Sequence, residues 1–175
     1  MPKNVMVVGT GTIGEPLIGL LAEHKDALGL DNVLFFKRTP LSDEKGKVEA
    51  LLRKGSKIVS SSDALSDFKQ LGFSEIEDVD NAYEDADVII DCTPSGNENW
   101  KSIYSSLDQS KRFMAQGSEH GFGQFFAWGI NNDVLENGSN KYLIASCNTH
   151  NIASIVKTFA LDQGRELVEG QFVCL

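Results

Sequence analysis

Val5-Met6-Val7-Val8, running straight into Gly9-Thr10-Gly11-Thr12-Ile13-Gly14, reads as a buried strand that turns sharply into a helix. Four consecutive apolar residues without polar alternation suit a strand covered on both faces. The three glycines have separate tasks in such a turn. Gly9 allows the tight bend, Gly11 lets the backbone approach a pyrophosphate, and Gly14 lets the helix pack close to the sheet. A helix N-terminus placed there offers free N–H groups and a positive dipole end to phosphates. Apolar residues then recur at helical spacing, at Ile13, Leu17, Leu20, Leu21 and Ala22, which predicts a helix to about Ala27. A turn that merely needs glycine is the plainer reading, but the strand before it and the helix after it favour dinucleotide binding.

The same alternation continues outward. Val33-Leu34-Phe35-Phe36 predicts a second strand, and Val48, Leu51 and Leu52 predict a helix stopped by Gly55. Ile58-Val59 is a short strand, and Asp63 to Leu71 a helix with Gly72 as its stop. Phe73 to Asp85 is acidic and carries no clear element. Val88-Ile89-Ile90 is a strand ending at Asp91-Cys92-Thr93-Pro94-Ser95-Gly96, followed by a helix over Asn99 to Leu107 and a strand at Arg112-Phe113-Met114-Ala115. A glycine-rich loop carrying Gly117, Gly121 and Gly123 leads to a strand at Tyr142-Leu143-Ile144-Ala145 and a helix from Asn148 to Leu161. Leu167 to Leu175 is again strand-like. Strands alternating with helices predict an α/β fold, Rossmann-like and doubly wound, with a mostly parallel sheet and helices on both faces.

A chain of 175 residues, 41% hydrophobic, fits one domain, or one domain and the start of another. Its net charge of −9 argues against a general nucleic-acid role. The longest apolar runs fall far short of the ~20 residues a bilayer span needs, so no membrane role is expected. Met1-Pro2-Lys3-Asn4 leads into the first strand without the apolar segment of a secretory signal. Cys92, Cys147 and Cys174 are odd in number and widely spaced, unlike a disulfide framework or a zinc site. No metal is expected, and the setting is a reducing one, most simply the cytoplasm.

An NAD-binding domain of this type carries an acidic residue at the end of its second strand for the ribose 2′-OH. Here that strand ends in Lys37-Arg38-Thr39-Pro40. Two cations and a hydroxyl suit a 2′-phosphate better, because guanidinium makes charge-assisted bonds to phosphate oxygens. NADP is the expected cofactor, with NAD the alternative, and a solvated loop with two surface cations is the plain reading.

Ser146-Cys147-Asn148-Thr149-His150 follows the last apolar strand and delivers a cysteine to the first turn of a helix. A helix N-terminus favours thiolate, and the N–H groups after it can stabilise the oxyanion formed when a thiolate attacks a carbonyl. Asn148, Thr149 and Asn151 add polar groups there. The alternative is a small buried residue beside a Ser146 helix cap, and Cys92 and Cys174 fit that description.

Together, Val8-Gly9-Thr10-Gly11-Thr12-Ile13-Gly14 and Ser146-Cys147-Asn148-Thr149 resemble the archaeal-type (type II) glyceraldehyde-3-phosphate dehydrogenases. Lys37-Arg38-Thr39-Pro40 is similar to that family's Lys-Thr-Lys-Pro loop, which holds the adenosine phosphate of NADP. Glu84 to Asp91 resembles the strand leading to its cofactor, and Gln116-Gly117-Ser118-Glu119 its Gln-Gly-Gly-Glu turn. The resemblance runs through nearly the whole chain, diverging over 73–81 and 122–141. It implies that Cys147 attacks an aldehyde, that hydride passes to the nicotinamide, and that inorganic phosphate releases an acyl phosphate. It also implies that Thr12, Ile13 and Gly117 contact cofactor and that Ser146, Cys147 and Asn148 form the site for a phosphorylated aldehyde.

Two departures qualify the resemblance. The family continues Thr-Gly after Cys-Asn-Thr, whereas this chain has His150-Asn151. His150, three residues after Cys147, faces either the thiol and substrate phosphate or simply the helix surface. His24 and His120 receive no role. The family also carries a second, catalytic domain that supplies a histidine base and arginines for substrate phosphate. The expected division is therefore residues 1–147 as dinucleotide-binding domain and 148–175 as nucleophile helix plus the first strand of a catalytic domain otherwise missing. Such a chain looks truncated and inactive alone. The apolar run Phe172-Val173-Cys174-Leu175 is expected to be disordered or to pair with another chain, as in a homo-oligomer. Alternative functions are a semialdehyde or acyl-phosphate reductase, a non-catalytic NAD(P)-binding or redox-sensing module, and a remnant without ligand.

Overall fold

Apolar strands flanked by glycine stops assemble into one sheet in the computed structural model, which describes residues 3–117, 119–164 and 166–173, and only the backbone of Gln163. The strands are β1 (Asn4–Val8), β2 (Asn32–Phe36), β3 (Lys57–Ser60), β4 (Ile76–Asp78), β5 (Val88–Asp91), β6 (Arg112–Gln116), β7 (Gln124–Phe126) and β8 (Lys141–Ile144). The helices are α1 (Gly14–Glu23), α2 (Lys45–Arg53), α3 (Leu65–Gln70), α4 (Val79–Asp85), α5 (Gly96–Ser102) and α6 (Cys147–Phe159). The sheet order is β4-β3-β2-β1-β5-β6-β8-β7, and every pairing is parallel.

Alternation along the strands splits the core into two layers. Val5 and Val7 of β1, with Val33 and Phe35 of β2, pack against Ile18 and Ala22 of α1 and Val48 and Leu51 of α2. Met6, Val8, Leu34 and Ile89 face the other way, against Ala82 and Tyr83 of α4 and against Tyr104 and Phe113. This is the doubly wound Rossmann-like α/β arrangement expected of unbroken apolar strands.

Five local expectations change, the first being the helix predicted to about Ala27, which ends at Glu23. The stretch from Phe73 to Asp85, expected to be ill-defined, holds β4 and α4, with the Asp78 carboxylate accepting from Asp80 N at 3.0 Å. The glycine-rich loop contains β7 on the far edge of the sheet. The helix expected over Asn99 to Leu107 starts at Gly96, ends at Ser102 and gives way to a 3-10 turn at Tyr104–Ser106. Leu167 to Val173 form no strand, and Val168 and Val173 are exposed; Cys174 and Leu175 lie outside the described residues. Among the described residues no helix is long and apolar enough to cross a membrane.

Candidate functional site

Because all strands run the same way, their C-terminal ends share one edge of the sheet. From β2 to β8 that edge carries Lys37-Arg38-Thr39, then Gly9-Thr10-Gly11, then Thr93-Pro94-Ser95, then Gly117, then Ser146-Cys147. Four interstrand steps of ~4.8 Å make this a span of ~19 Å. The winding reverses between β1 and β5, the point at which open α/β sheets bind ligands. A cleft of about 620 Å³ lies there, lined by residues that include Gly9, Thr10, Arg38, Thr39, Thr93 and Asn99.

The glycines of the first turn behave differently from one another. Gly9 has φ +98°, and a Cβ on it would stand 3.0 Å from Thr93 Cγ2. A Cβ on Gly14 would stand 1.9 Å from the carbonyl oxygen of Gly9, so the bend itself requires glycine there. No heavy atom lies within 4 Å of the position a Cβ on Gly11 would take. Gly11, Thr12 and Ile13 are exposed, and their N–H groups make no backbone hydrogen bond among the described residues. Internal packing therefore does not explain glycine at position 11. An open bend edged by unpaired N–H groups at a helix start is a cradle for a pyrophosphate.

The two cations after β2 have different fates. Lys37 is buried, and its Nζ donates to Glu44 Oε2. Arg38 and Thr39 are exposed beside the cleft, and Arg38 forms no ion pair among the described residues. The sequence pattern treated the two cations alike, and Glu44, seven residues on, distinguishes them.

Sequence reasoning assigned no role to the network below the cleft. Asp91 is completely buried at the end of β5. Its Oδ1 accepts from Thr93 N at 2.8 Å and Thr93 Oγ1 at 2.6 Å. Its Oδ2 accepts from Asn99 Nδ2 at 2.7 Å and the Tyr104 hydroxyl at 2.8 Å. Four donors satisfy a carboxylate whose burial would otherwise be costly, and they hold Thr93 against Gly9. Burial first, and the Asp91 charge second, push the Tyr104 hydroxyl far above its ordinary range. Burial likewise pushes the neighbouring Tyr83 up to about 12. Val79, Tyr83 and Ile103 give the cleft an apolar wall, while Asp80 and Glu98 add carboxylates. The polar run Asp91-Cys92-Thr93-Pro94-Ser95-Gly96 after a clear strand was the available signal for this loop.

At the other end of the edge, Cys147 is the first residue of α6 and is exposed. Ser146 caps the helix, accepting from Thr149 N at 3.3 Å and sharing a 2.9 Å hydrogen bond with Thr149 Oγ1. Gly117 lies beside it, with 3.9 Å between its would-be Cβ and Ser146 Cβ; the adjoining Ser118 is outside the described residues. Asn148 and Thr149 are exposed on the same helical turn. His150 turns to the loop after β7, where its Nε2 donates to Trp128 O at 2.9 Å. Lys157, two turns on, donates to Gly129 O at 2.6 Å on the same loop. This hydrogen bond fastens α6 to the loop, a setting that neither the substrate-facing nor the helix-surface reading of His150 foresaw. The lining of the 620 Å³ cleft reaches neither Gly117 nor Cys147.

The two described thiols differ sharply. Burial, reinforced by the Asp91 charge, pushes Cys92 up to about 11, so it stays protonated well above neutral pH. At pH 7.5, iodoacetamide is expected to modify Cys147 in the folded chain and Cys92 only after denaturation. Peptide mapping by mass spectrometry checks this, and equal labelling of both peptides would contradict it.

No protein-family model matches the chain. Among curated proteins it is 29% identical over 162 residues to glyceraldehyde-3-phosphate dehydrogenase from Pyrobaculum calidifontis, covering 91% of this chain and 44% of that protein. It is 27% identical over 174 residues to the enzyme of that name from Sulfolobus acidocaldarius, covering 97% of this chain and 48% of that protein. For the Pyrobaculum arsenaticum protein of the same name the identity is 30% over 162 residues, covering 91% and 44%. The resemblance drawn from the motifs thus extends over nine-tenths of the chain, which spans just under half the length of these relatives. Among solved structures, Haloferax mediterranei glucose dehydrogenase, in complex with NADP, zinc and gluconolactone, matches with a TM-score of 0.47. The match has 18% identity and covers 90% of this chain and 41% of that one.

Proposed function

We propose that the chain is the dinucleotide-binding part of an NADP-dependent phosphorylating aldehyde dehydrogenase of the glyceraldehyde-3-phosphate dehydrogenase type. The observation that carries this reading is the donor-edged bend at Gly11 lying on the same sheet edge as an exposed cysteine at a helix start. Similarity to the archaeal enzymes over most of the chain supports it. The N–H groups of Gly11, Thr12 and Ile13 would hold the pyrophosphate, and Arg38 with Thr39 the adenosine 2′-phosphate. Val79, Tyr83 and Ile103 would meet the adenosine. NADP supplies a hydride acceptor when bound.

The rest of the chemistry falls to the thiol end. Cys147 Sγ adds to the aldehyde carbon, and the carbonyl oxygen becomes an oxyanion facing the N–H groups of Cys147 and Asn148, which Ser146 leaves uncapped. With a hydride acceptor bound, Cys147 Sγ would carry the acyl group as a thioester, and attack of inorganic phosphate on that carbonyl would release an acyl phosphate and return the thiolate. Ser146, Asn148 and Thr149 orient the substrate. The His150 proton on Nε2 is engaged by Trp128 O, so His150 serves to position α6. No residue of α6 is buried, and Ile155 and Phe159 are exposed. This bare face is where a catalytic domain of the kind found in the family would pack, in a homo-oligomeric, cytoplasmic enzyme.

The residues 1–175 alone are expected to bind NADP and to show no turnover of glyceraldehyde 3-phosphate with NADP and phosphate. Titration calorimetry with NADP and NAD tests the binding. Arg38→Ala is expected to weaken NADP by about tenfold, the scale of one charge-assisted contact, and to leave NAD within about twofold. Equal losses for both cofactors would remove Arg38 from the 2′-phosphate. A chain that binds dinucleotide and still lacks turnover when supplied with a family catalytic domain would favour a non-catalytic binding module.

A further inference from the structure

The position immediately after β2 decides between NAD and NADP in this fold, and here it is occupied by Lys37. A lysine there implies a cation for the 2′-phosphate. Yet its side chain is buried and its Nζ is bound to Glu44 Oε2, from the 3-10 turn Ser42–Glu44 that precedes α2. Glu15 and Lys47, 3.6 Å apart, stand beside the pair around a small recess next to Thr10. The two ion pairs cancel, so the recess offers an arriving phosphate no net positive charge.

We propose that Glu44 is a specificity-determining residue that silences Lys37. It holds the ammonium as an internal substitute for phosphate, and NADP recognition is left to Arg38 and Thr39. This rests on the dinucleotide-binding reading above and deepens it. In the folded chain the pair is electrically neutral toward the ligand. Lys37 meets a 2′-phosphate only by leaving Glu44, and that would strand a carboxylate beside the phosphate. The residue at the position usually diagnostic of NADP is therefore mute in this chain, and its preference for NADP over NAD is weaker than two free cations would give.

Two variants test this by titration calorimetry with NADP and with NAD, using circular dichroism to confirm folding. Glu44→Gln keeps a side-chain acceptor near Lys37 and removes the charge. It is expected to tighten NADP about tenfold, the scale of one released charge contact, and to change NAD by less than about twofold. The double variant Lys37→Met with Glu44→Met replaces the pair by apolar side chains and does not leave a lone buried charge. Its ratio of NADP to NAD affinity is expected to stay within about twofold of wild type, because a silenced lysine is not missed. A double variant that loses about tenfold of its NADP preference would overturn the proposal, since Lys37 would then be gripping phosphate despite Glu44. An unchanged ratio in Glu44→Gln would overturn it too. If wild type binds neither dinucleotide, the binding reading itself fails and this proposal goes with it; a wild type that binds while the variants deviate sinks only the proposal.

Discussion

Gly11→Ala is expected to cost the chain its dinucleotide while leaving its stability within ~0.5 kcal/mol of wild type, as for a surface substitution without packing consequences. No heavy atom lies within 4 Å of the new methyl, and Gly11 is not in the left-handed region, so the folded chain accepts alanine there. The methyl instead enters the space above the free N–H groups of the bend. If a pyrophosphate sits in that space, its approach is blocked, and a loss of about 100-fold in Kd follows from ~2.7 kcal/mol of lost contact. Gly14→Ala reaches the same binding defect by another route. Its Cβ would lie 1.9 Å from Gly9 O, so the strand-to-helix bend must open, at a cost of ~3 kcal/mol or more in stability. Calorimetric titration with NADP and urea denaturation, run on both variants, separate the two effects. Gly11→Ala binding NADP as tightly as wild type would remove the bend from the ligand site.

Asp91→Ala is expected to destabilise the chain by about 3–5 kcal/mol, the range for breaking a buried, hydrogen-bonded charge network. The substitution removes the acceptor of the buried Tyr104 hydroxyl and of both Thr93 donors, and leaves the Asn99 amide only Thr93 Oγ1 at 3.3 Å. Against the ~5–15 kcal/mol typical of a domain, that is a large fraction of the total. Asp91→Asn keeps the volume, but its amide NH₂ must face a donor, either Tyr104 or the Thr93 pair, so a substantial loss persists. Because Thr93 is held against Gly9 by Asp91, the surviving folded fraction is also expected to bind dinucleotide more weakly. Urea denaturation followed by circular dichroism measures the first effect. A change below ~1 kcal/mol for Asp91→Ala would mean that water readily replaces the carboxylate and that the loop is not clamped.

The central half of this structure was legible because its signals are local. Val5 to Val8 are apolar on both faces, and the glycines after them have few other uses. The strands β2, β5, β6 and β8 each announce themselves by a short apolar run. The edge strands did not, because β4 and β7 are three residues long and hold Glu77, Asp78 and Gln124. Such strands exist through their neighbours' hydrogen bonds and lack a pattern of their own. The stretch from Leu167 to Val173 shows the converse, since its strand-like pattern pairs with no strand among the described residues. In the candidate site, Gly9, Gly11, Gly14 and Cys147 could be placed by motif. Glu44 and Asp91 could not, because their roles depend on which side chains meet across 7 residues of loop or 13 residues of loop and helix. His150 could not be oriented because spacing on a helix fixes a face and not the partner beyond it.

The most direct test of the central claim is amide hydrogen exchange on the folded chain with and without saturating NADP. Binding at the β1–β5 crossover predicts slowed exchange at residues 9–14, 37–39 and 93–95, with little change along β3 and β4. Slowing confined to the 710 Å³ cavity between α2 and β4, around Arg53, Phe73 and Ile76, or no slowing at all, would contradict a dinucleotide site in the first glycine turn.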